Sequence, residues 1–237
     1  MVTWMTVDHG KVTTAIKGSQ RPKSMFLGQY DLFYTCEILY YTRHRHDVHI
    51  ARECTPLAPR TRLRSDWKAS AAASYICDLV SSTSLPSVPQ AAVFRLLHSA
   101  LDHVCDRGAL PAFLFWFELK FLHLLGLAPR LRQCLSCGLA LTAGARGTRF
   151  SYSRGGILCG SCAARQTEAP LSISPAALGT LVGWQRSRTP QVALATRSTE
   201  GQLAEIEKLL GLFIGYHLET TRPSRAVSLD TMRRHVA

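Results

Sequence analysis

Four of the eight cysteines fall into two pairs, Cys134-Leu135-Ser136-Cys137 and Cys159-Gly160-Ser161-Cys162, with 21 residues between them. Two thiolates three positions apart can grip one metal ion from a tight turn. A second such pair completes a four-sulfur tetrahedral shell at about 2.3 Å per bond, the geometry of structural zinc. Glycine directly after the first turn and inside the second, at Gly138 and Gly160, suits the backbone bend. Between the pairs, Arg149 to Ser153 alternate apolar and polar, and Gly155-Gly156 signals a turn. A short hairpin is therefore expected to bring the pairs together. The competing readings are a redox dithiol and chance spacing. A redox motif is ordinarily a single C-x-x-C on a βαβ unit, which this pattern lacks. A catalytic zinc keeps one position open, whereas four cysteines close the shell. No H-x-E precedes a P-C-x-x-C, so the deaminase signature is missing as well. The reading is structural Zn2+ held by Cys134, Cys137, Cys159 and Cys162. Cys36, Cys54, Cys77 and Cys105 are dispersed, and most of them are expected to be small buried hydrophobes.

The second chemistry is electrostatic. The 28 Lys and Arg exceed the 16 Asp and Glu, for a formal net charge of +12, which draws polyanions such as nucleic acid. An arginine-rich proteome would give the same excess without a function. The cations are grouped, however. Lys11, Lys17, Arg21 and Lys23 lie along one expected hairpin and its exit, and Arg43, Arg45 and Arg52 along the next. Arg60, Arg62 and Arg64 line the link to the following segment. Trp4, Phe26, Tyr30, Phe33, Tyr34, Tyr40 and Tyr41 are interleaved with them. Cations that track a backbone, mixed with rings that stack on bases, form single-strand sites. Aromatics at strand spacing more often fill a core, so only one or two of the seven are expected at the surface. His44, His46 and His49 sit in or beside a polar turn and are read as solvated rather than ligating. No catalytic set is visible. The chain has no G-x-x-x-x-G-K-[ST] phosphate loop, no tight acidic cluster for two metals and no G-x-S-x-G. A non-enzymatic protein is expected.

The elements that position these groups change character near residue 63. Before it, Val2–Val7, Lys11–Lys17, Tyr30–Tyr41 and Val48–Ala51 read as strands, with a turn at Asp8-His9-Gly10, and suggest a small β-barrel. After it, apolar residues at helical spacing predict helices over 64–80, 89–107, 111–125, Pro175–Trp184 and Gly201–Leu218. Residues 222–237 show no clear period and are expected to fray. The class is α+β: a nucleic-acid-binding domain over 1–63, then an all-α domain over 64–237 with an inserted four-cysteine zinc module at about 131–168. The most apolar run, Ala112 to Leu125, includes Glu118, Lys120 and His123 and falls short of the roughly 20 apolar residues a membrane span needs. No basic segment followed by a long apolar stretch opens the chain. A cytoplasmic setting with reduced cysteines is expected.

Gly10-Lys11-Val12 with Ala15-Ile16-Lys17-Gly18-Ser19-Gln20-Arg21 resembles the start of the RecO recombination mediators. Phe115 to Pro129, running into Cys134-x-x-Cys137-Gly138, is similar to that family's central helix and zinc knuckle, and Tyr216-His217-Leu218 with Ser224-Arg225 to its C-terminal helix motif. The resemblance covers nearly the whole chain. It implies an OB-fold barrel, a helical domain and a zinc module. It also implies binding and annealing of single- and double-stranded DNA, contact with RecR and with the C-terminal tail of single-strand binding protein, and indirect help in loading RecA. Arg130 and Arg132 are the candidates for meeting that tail. One departure stands out: the family's opening strand would precede the segment matching Val2 to Lys11. Either the start is assigned late or the barrel is open along one edge. The alternative reading is a generic zinc-ribbon protein acting in transcription or RNA handling.

Overall fold

The structure, a computed structural model, describes residues 1–19, 21–43, 47–141, 147–168, 170–219 and 223–234. Strands β1 (Val2–Thr6), β2 (Gly10–Ala15), β3 (Thr35–Tyr41) and β4 (Val48–Ala58) come first. Helices α1 (Arg62–Ser65), α2 (Trp67–Thr83), α3 (Ala91–Arg107) and α4 (Pro111–Leu124) follow. Then come β5 (Arg149–Ser151), β6 (Gly156–Leu158), α5 (Gly160–Ala163) and β7 (Leu171–Ser172). The chain ends with α6 (Pro175–Arg186), α7 (Gln191–Ala195), α8 (Glu200–His217) and α9 (Pro223–Arg233).

Two compact units result, Met1–Ala109 with Ser224–Ala237, and Leu110–Pro223. Residue 63 marks the change from strand to helix, but the first unit extends past it because α2 and α3 fold with the strands. The reason is local. At Gly10, φ is +64°, and a Cβ there would stand 1.9 Å from the Val88 carbonyl oxygen in the α2–α3 loop, so only glycine allows this approach. Ser87 N donates to Lys11 O at 3.0 Å, and Lys11 Nζ to Ser81 O at 2.7 Å.

The strands form one open sheet in the order β1-β2-β4-β3. β1 and β2 are antiparallel, β2 and β4 parallel, and β4 and β3 antiparallel. Alternation sets the inner face: in β2, Gly10, Val12 and Thr14 are buried while Lys11, Thr13 and Ala15 are not. Phe26, Ala51 and Cys54 form its core, flanked by Trp4, Ile16, Tyr30, Cys36 and Ile38. A hollow of about 820 Å3 is lined by Met1 to His9, by Tyr30 to Ile38 and by helical residues including Cys77, Phe94, Leu97 and Leu101. The strand expected over Tyr30–Tyr41 begins only at Thr35, because Phe33 takes a positive φ of 68° and turns the chain.

Asp66 caps α2, its Oδ1 accepting from Lys68 N and Ala69 N. The tail expected to fray is instead α9, a correction to the sequence reading. Arg225, Ser228, Leu229 and Met232 are its buried residues. They recur at helical spacing, but two of the four are polar, so an apolar periodicity does not register.

In the second unit α4 is buried on nearly every side, from Phe113 to Leu119 and at Phe121 and Leu122. It packs against α6, α7 and α8. The α6 side chain Trp184 stacks on Phe115, and the indole of Trp116 donates to Ser187 Oγ at 2.9 Å. A Thr199–Gln202 capping box starts α8. The helical expectation needs one amendment here: β6-β5-β7 form a second, three-stranded sheet. No helix among the described residues is long and apolar enough to cross a membrane.

Candidate metal centre and basic surface

The chain leaving α4 is tied down before it makes the first cysteine knuckle. Leu131 is buried, Arg130 N donates to Gly155 O at 2.9 Å, and Ile157 N returns a bond to Arg130 O at 3.0 Å. The knuckle closes through Gly138 N to Cys134 O at 3.0 Å, with Gly138 at φ +73°. The second pair starts at the end of β6. Cys159 precedes α5, and Ala163 N donates to its carbonyl at 2.8 Å. Leu135 N to Ile157 O, at 2.9 Å, joins the knuckles. The hairpin expected between the pairs is β5–β6.

The four sulfurs of Cys134, Cys137, Cys159 and Cys162 lie within 4.8 Å of one another, and Cys137 Sγ is 3.9 Å from Cys159 Sγ. A tetrahedron with bonds of about 2.3 Å has edges of about 3.8 Å, so the spacing fits zinc. Cys134 and Cys159 are buried and Cys137 is exposed. Burial pushes the Cys134 thiol up, but N–H donors from Cys137, Cys159 and Ser136 outweigh it and hold the pKa at about 6. Cys159 is lowered, first by the Ser161 hydroxyl. Cys162 is raised to about 12, mainly because its proton bridges to Cys159. Like charges in one cluster resist the last deprotonations, and a divalent cation removes that resistance. The donor set is therefore suited to a closed structural ion.

Of the remaining cysteines, Cys54 is buried, and Cys36, Cys77 and Cys105 are half-buried. Burial pushes Cys36 and Cys77 up to about 12, which leaves them inert as nucleophiles.

The predicted cations divide by geometry. Lys17, Arg21, Lys23, Arg43, Arg52 and Arg62 are exposed, with Arg52 beside Glu53 at 3.2 Å. Arg62 Nη1 donates to Asp106 O at 2.9 Å. Lys11 is half-buried and spends its ammonium on Ser81 O. Arg45, with His44 and His46, lies outside the described residues. Arg60 is not on that surface. Its side chain is 4% exposed, and it binds Asp102 through Nε and Nη2, each at 2.8 Å, and Phe33 O and Thr35 Oγ1 through Nη1. It staples the loop before β3 to α3. Among the seven aromatics, Phe26 is buried and Tyr41 is the exposed one. Tyr40 stacks on His49 at 5.3 Å between centroids.

Arg130 and Arg132 are exposed and line a hollow of about 470 Å3 with Pro129, Gln133, Ala140 and Gln185. Sequence reasoning missed Arg154, and it marked His217 only through the family resemblance, with no role attached. Arg154 Nη1 donates to Ser136 Oγ and to Gln166 Oε1, and His217 Nε2 meets Tyr152 O at 2.8 Å. Arg154 lies in no charge run, so nothing local singles it out.

The model described as "Recombination protein O C terminal" matches residues 64–226. The chain belongs to the RecO family. Among the proteins most similar to it is the DNA repair protein RecO of Myxococcus xanthus, 31% identical over 194 residues, which cover 80% of this chain and 76% of that one. The RecO of Symbiobacterium thermophilum is 31% identical over 184 residues (76% and 71%), and that of Syntrophus aciditrophicus is 29% identical over 181 residues (76% and 69%).

Proposed function

We propose that this RecO-family chain is a non-enzymatic recombination mediator in DNA repair, which binds single- and double-stranded DNA and anneals complementary strands. The observation that carries the reading is the family match over residues 64–226, whose relatives are DNA repair proteins. The exposed Lys17, Arg21, Lys23, Arg43, Arg52 and Arg62 of the N-terminal unit supply the phosphate contacts, with Arg45 as a further candidate and Tyr41 offered to bases. Lys11 and Arg60 serve the fold. The sheet supports an OB-type barrel: the one parallel ladder, β2–β4, sits mid-sheet, and a single further strand between β1 and β3 would close it.

Zn2+ would be held by Cys134, Cys137, Cys159 and Cys162 and would supply folding free energy to the module rather than chemistry. The hollow beside Arg132 and Arg130 suits the carboxylates of an acidic C-terminal tail, as on single-strand binding protein. RecR is the second protein partner, and loading of RecA follows indirectly. The setting is the bacterial cytoplasm at the nucleoid, where thiols stay reduced.

The mechanism is charge neutralisation. Two strands repel each other, and a chain of formal charge +12 bridges them. Annealing of bare complementary strands is expected to fall steeply as salt rises, because each phosphate contact releases counterions. A rate that stays flat from low to physiological salt sinks this mechanism.

A further inference from the structure

The turn between β5 and β6 holds three other segments at once. The Gly155 carbonyl accepts from Arg130 N at 2.9 Å, at the exit of α4. The Tyr152 carbonyl faces His217 Nε2 at 2.8 Å, at the end of α8; a carbonyl only accepts, so that nitrogen carries the proton. Arg154, on the turn itself, reaches both cysteine knuckles. Its Nη1 donates to Ser136 Oγ at 3.1 Å in the first and to Gln166 Oε1 at 2.7 Å just after the second. Gln166 is fixed in turn by donating Nε2 to Cys162 O at 3.1 Å.

Around this turn lies a hollow of about 410 Å3 whose walls include Arg130, Arg154, His217, Leu135 and Phe213. Both partners of the Arg154 guanidinium are neutral, so its charge is aimed without being cancelled. Arg130 is exposed at the same hollow, and neither arginine is paired with a carboxylate among the described residues. Two planar guanidiniums at one small hollow suit an oxyanion with several acceptor oxygens. The apolar walls do not offer a groove. Phe213 is fully buried and Leu135 half-buried, so the cationic rim is what meets solvent. That favours a compact phosphate over a peptide tail, whose apolar side chains need a cleft.

We propose that this hollow is a second nucleic-acid site, in which Arg130 and Arg154 take a backbone phosphate and His217 forms the wall. The proposal rests on the DNA-binding reading above and adds a contact made by the zinc-bearing unit itself. Because Arg154 is aimed by residues of both knuckles, closing the four-cysteine cluster also sets the phosphate site. Arg130 lines this hollow and the neighbouring one, whereas Arg132 belongs only to the neighbour.

The test is the salt dependence of duplex DNA binding by the full-length, zinc-loaded protein. Each phosphate contact contributes about 0.9 to the slope of log K against log salt, so emptying this one phosphate seat with Arg130→Ala and Arg154→Ala should make it shallower by about 0.9. Arg130→Lys with Arg154→Lys should restore most of it, since the slope counts charge. The Arg130→Gln/Arg154→Gln pair keeps polar side chains at both positions and should match the alanine pair if the first variant is poorly folded. Unchanged slopes in both charge-removing pairs overturn the proposal. So does a loss confined to binding of an acidic peptide, which would give the hollow to a protein tail. A wild-type protein that binds no DNA at any salt would instead defeat the DNA-binding reading itself.

Discussion

Gly156→Ala probes the joint between the exit of α4 and the metal module. A Cβ on Gly156 would lie 2.3 Å from Arg130 O, 2.9 Å from its Cβ and 3.0 Å from its carbonyl carbon. Two of these atoms are backbone, so no rotamer change relieves the clash, and the segment must move by about 1 Å. That movement breaks the paired bonds Arg130 N to Gly155 O and Ile157 N to Arg130 O. Each is worth about 1 kcal/mol, and overpacking adds about 2 kcal/mol, for a total near 4 kcal/mol. At roughly 3 °C per kcal/mol, the melting temperature should fall by about 12 °C. Leu135 N shares Ile157 as its partner, so the knuckles should loosen too and zinc affinity should drop. Thermal unfolding of zinc-loaded protein and competition with a chromophoric chelator measure the two effects. A variant with unchanged melting temperature and zinc affinity would refute the joint as described.

Cys137→Ser should weaken zinc binding and lower the melting temperature, because three sulfurs leave the shell incomplete; equal melting curves would rule out a structural metal. Arg60→Ala should lower stability by about 3 kcal/mol in denaturant titration, since it removes a donor from Asp102 and leaves Phe33 O and Thr35 Oγ1 without the guanidinium. The same substitution at Lys17 or Arg21 should leave stability within about 0.5 kcal/mol and instead reduce the salt slope of DNA binding by roughly 0.9. His103 is held below its ordinary 6.5, first by burial and then by Arg107. Below that value the unfolded chain takes up a proton that the folded one resists, so stability is fully present above pH 6.5 and declines as pH falls toward the lowered value. His103→Gln should flatten that part of the pH profile, and an unchanged profile would show that His103 is not its source.

The four-cysteine cluster was legible because two C-x-x-C turns are specified by spacing alone, and long amphipathic helices such as α3 and α8 by their period. Other features depend on contacts distant in sequence. Arg60 reads as one more cation in a basic link, and only its proximity to Asp102, 42 residues away, shows that it is a staple. Helix α9 presents Arg225 and Ser228 on its buried face, so its pattern is mixed rather than apolar. Arg154 acquires significance only when Ser136 and Gln166 are brought to it by the knuckles. The need for glycine at Gly10 follows from the approach of Val88, which no local turn signal announces.

The most direct test of the mediator account is annealing of complementary single strands coated with the matching single-strand binding protein, with and without that protein's C-terminal tail. The account predicts annealing that requires the tail and is lost in Arg132→Ala, while bare strands still anneal with that variant. Annealing of bare strands alone, with coated strands untouched by the wild-type chain, would contradict it and leave a generic basic nucleic-acid binder.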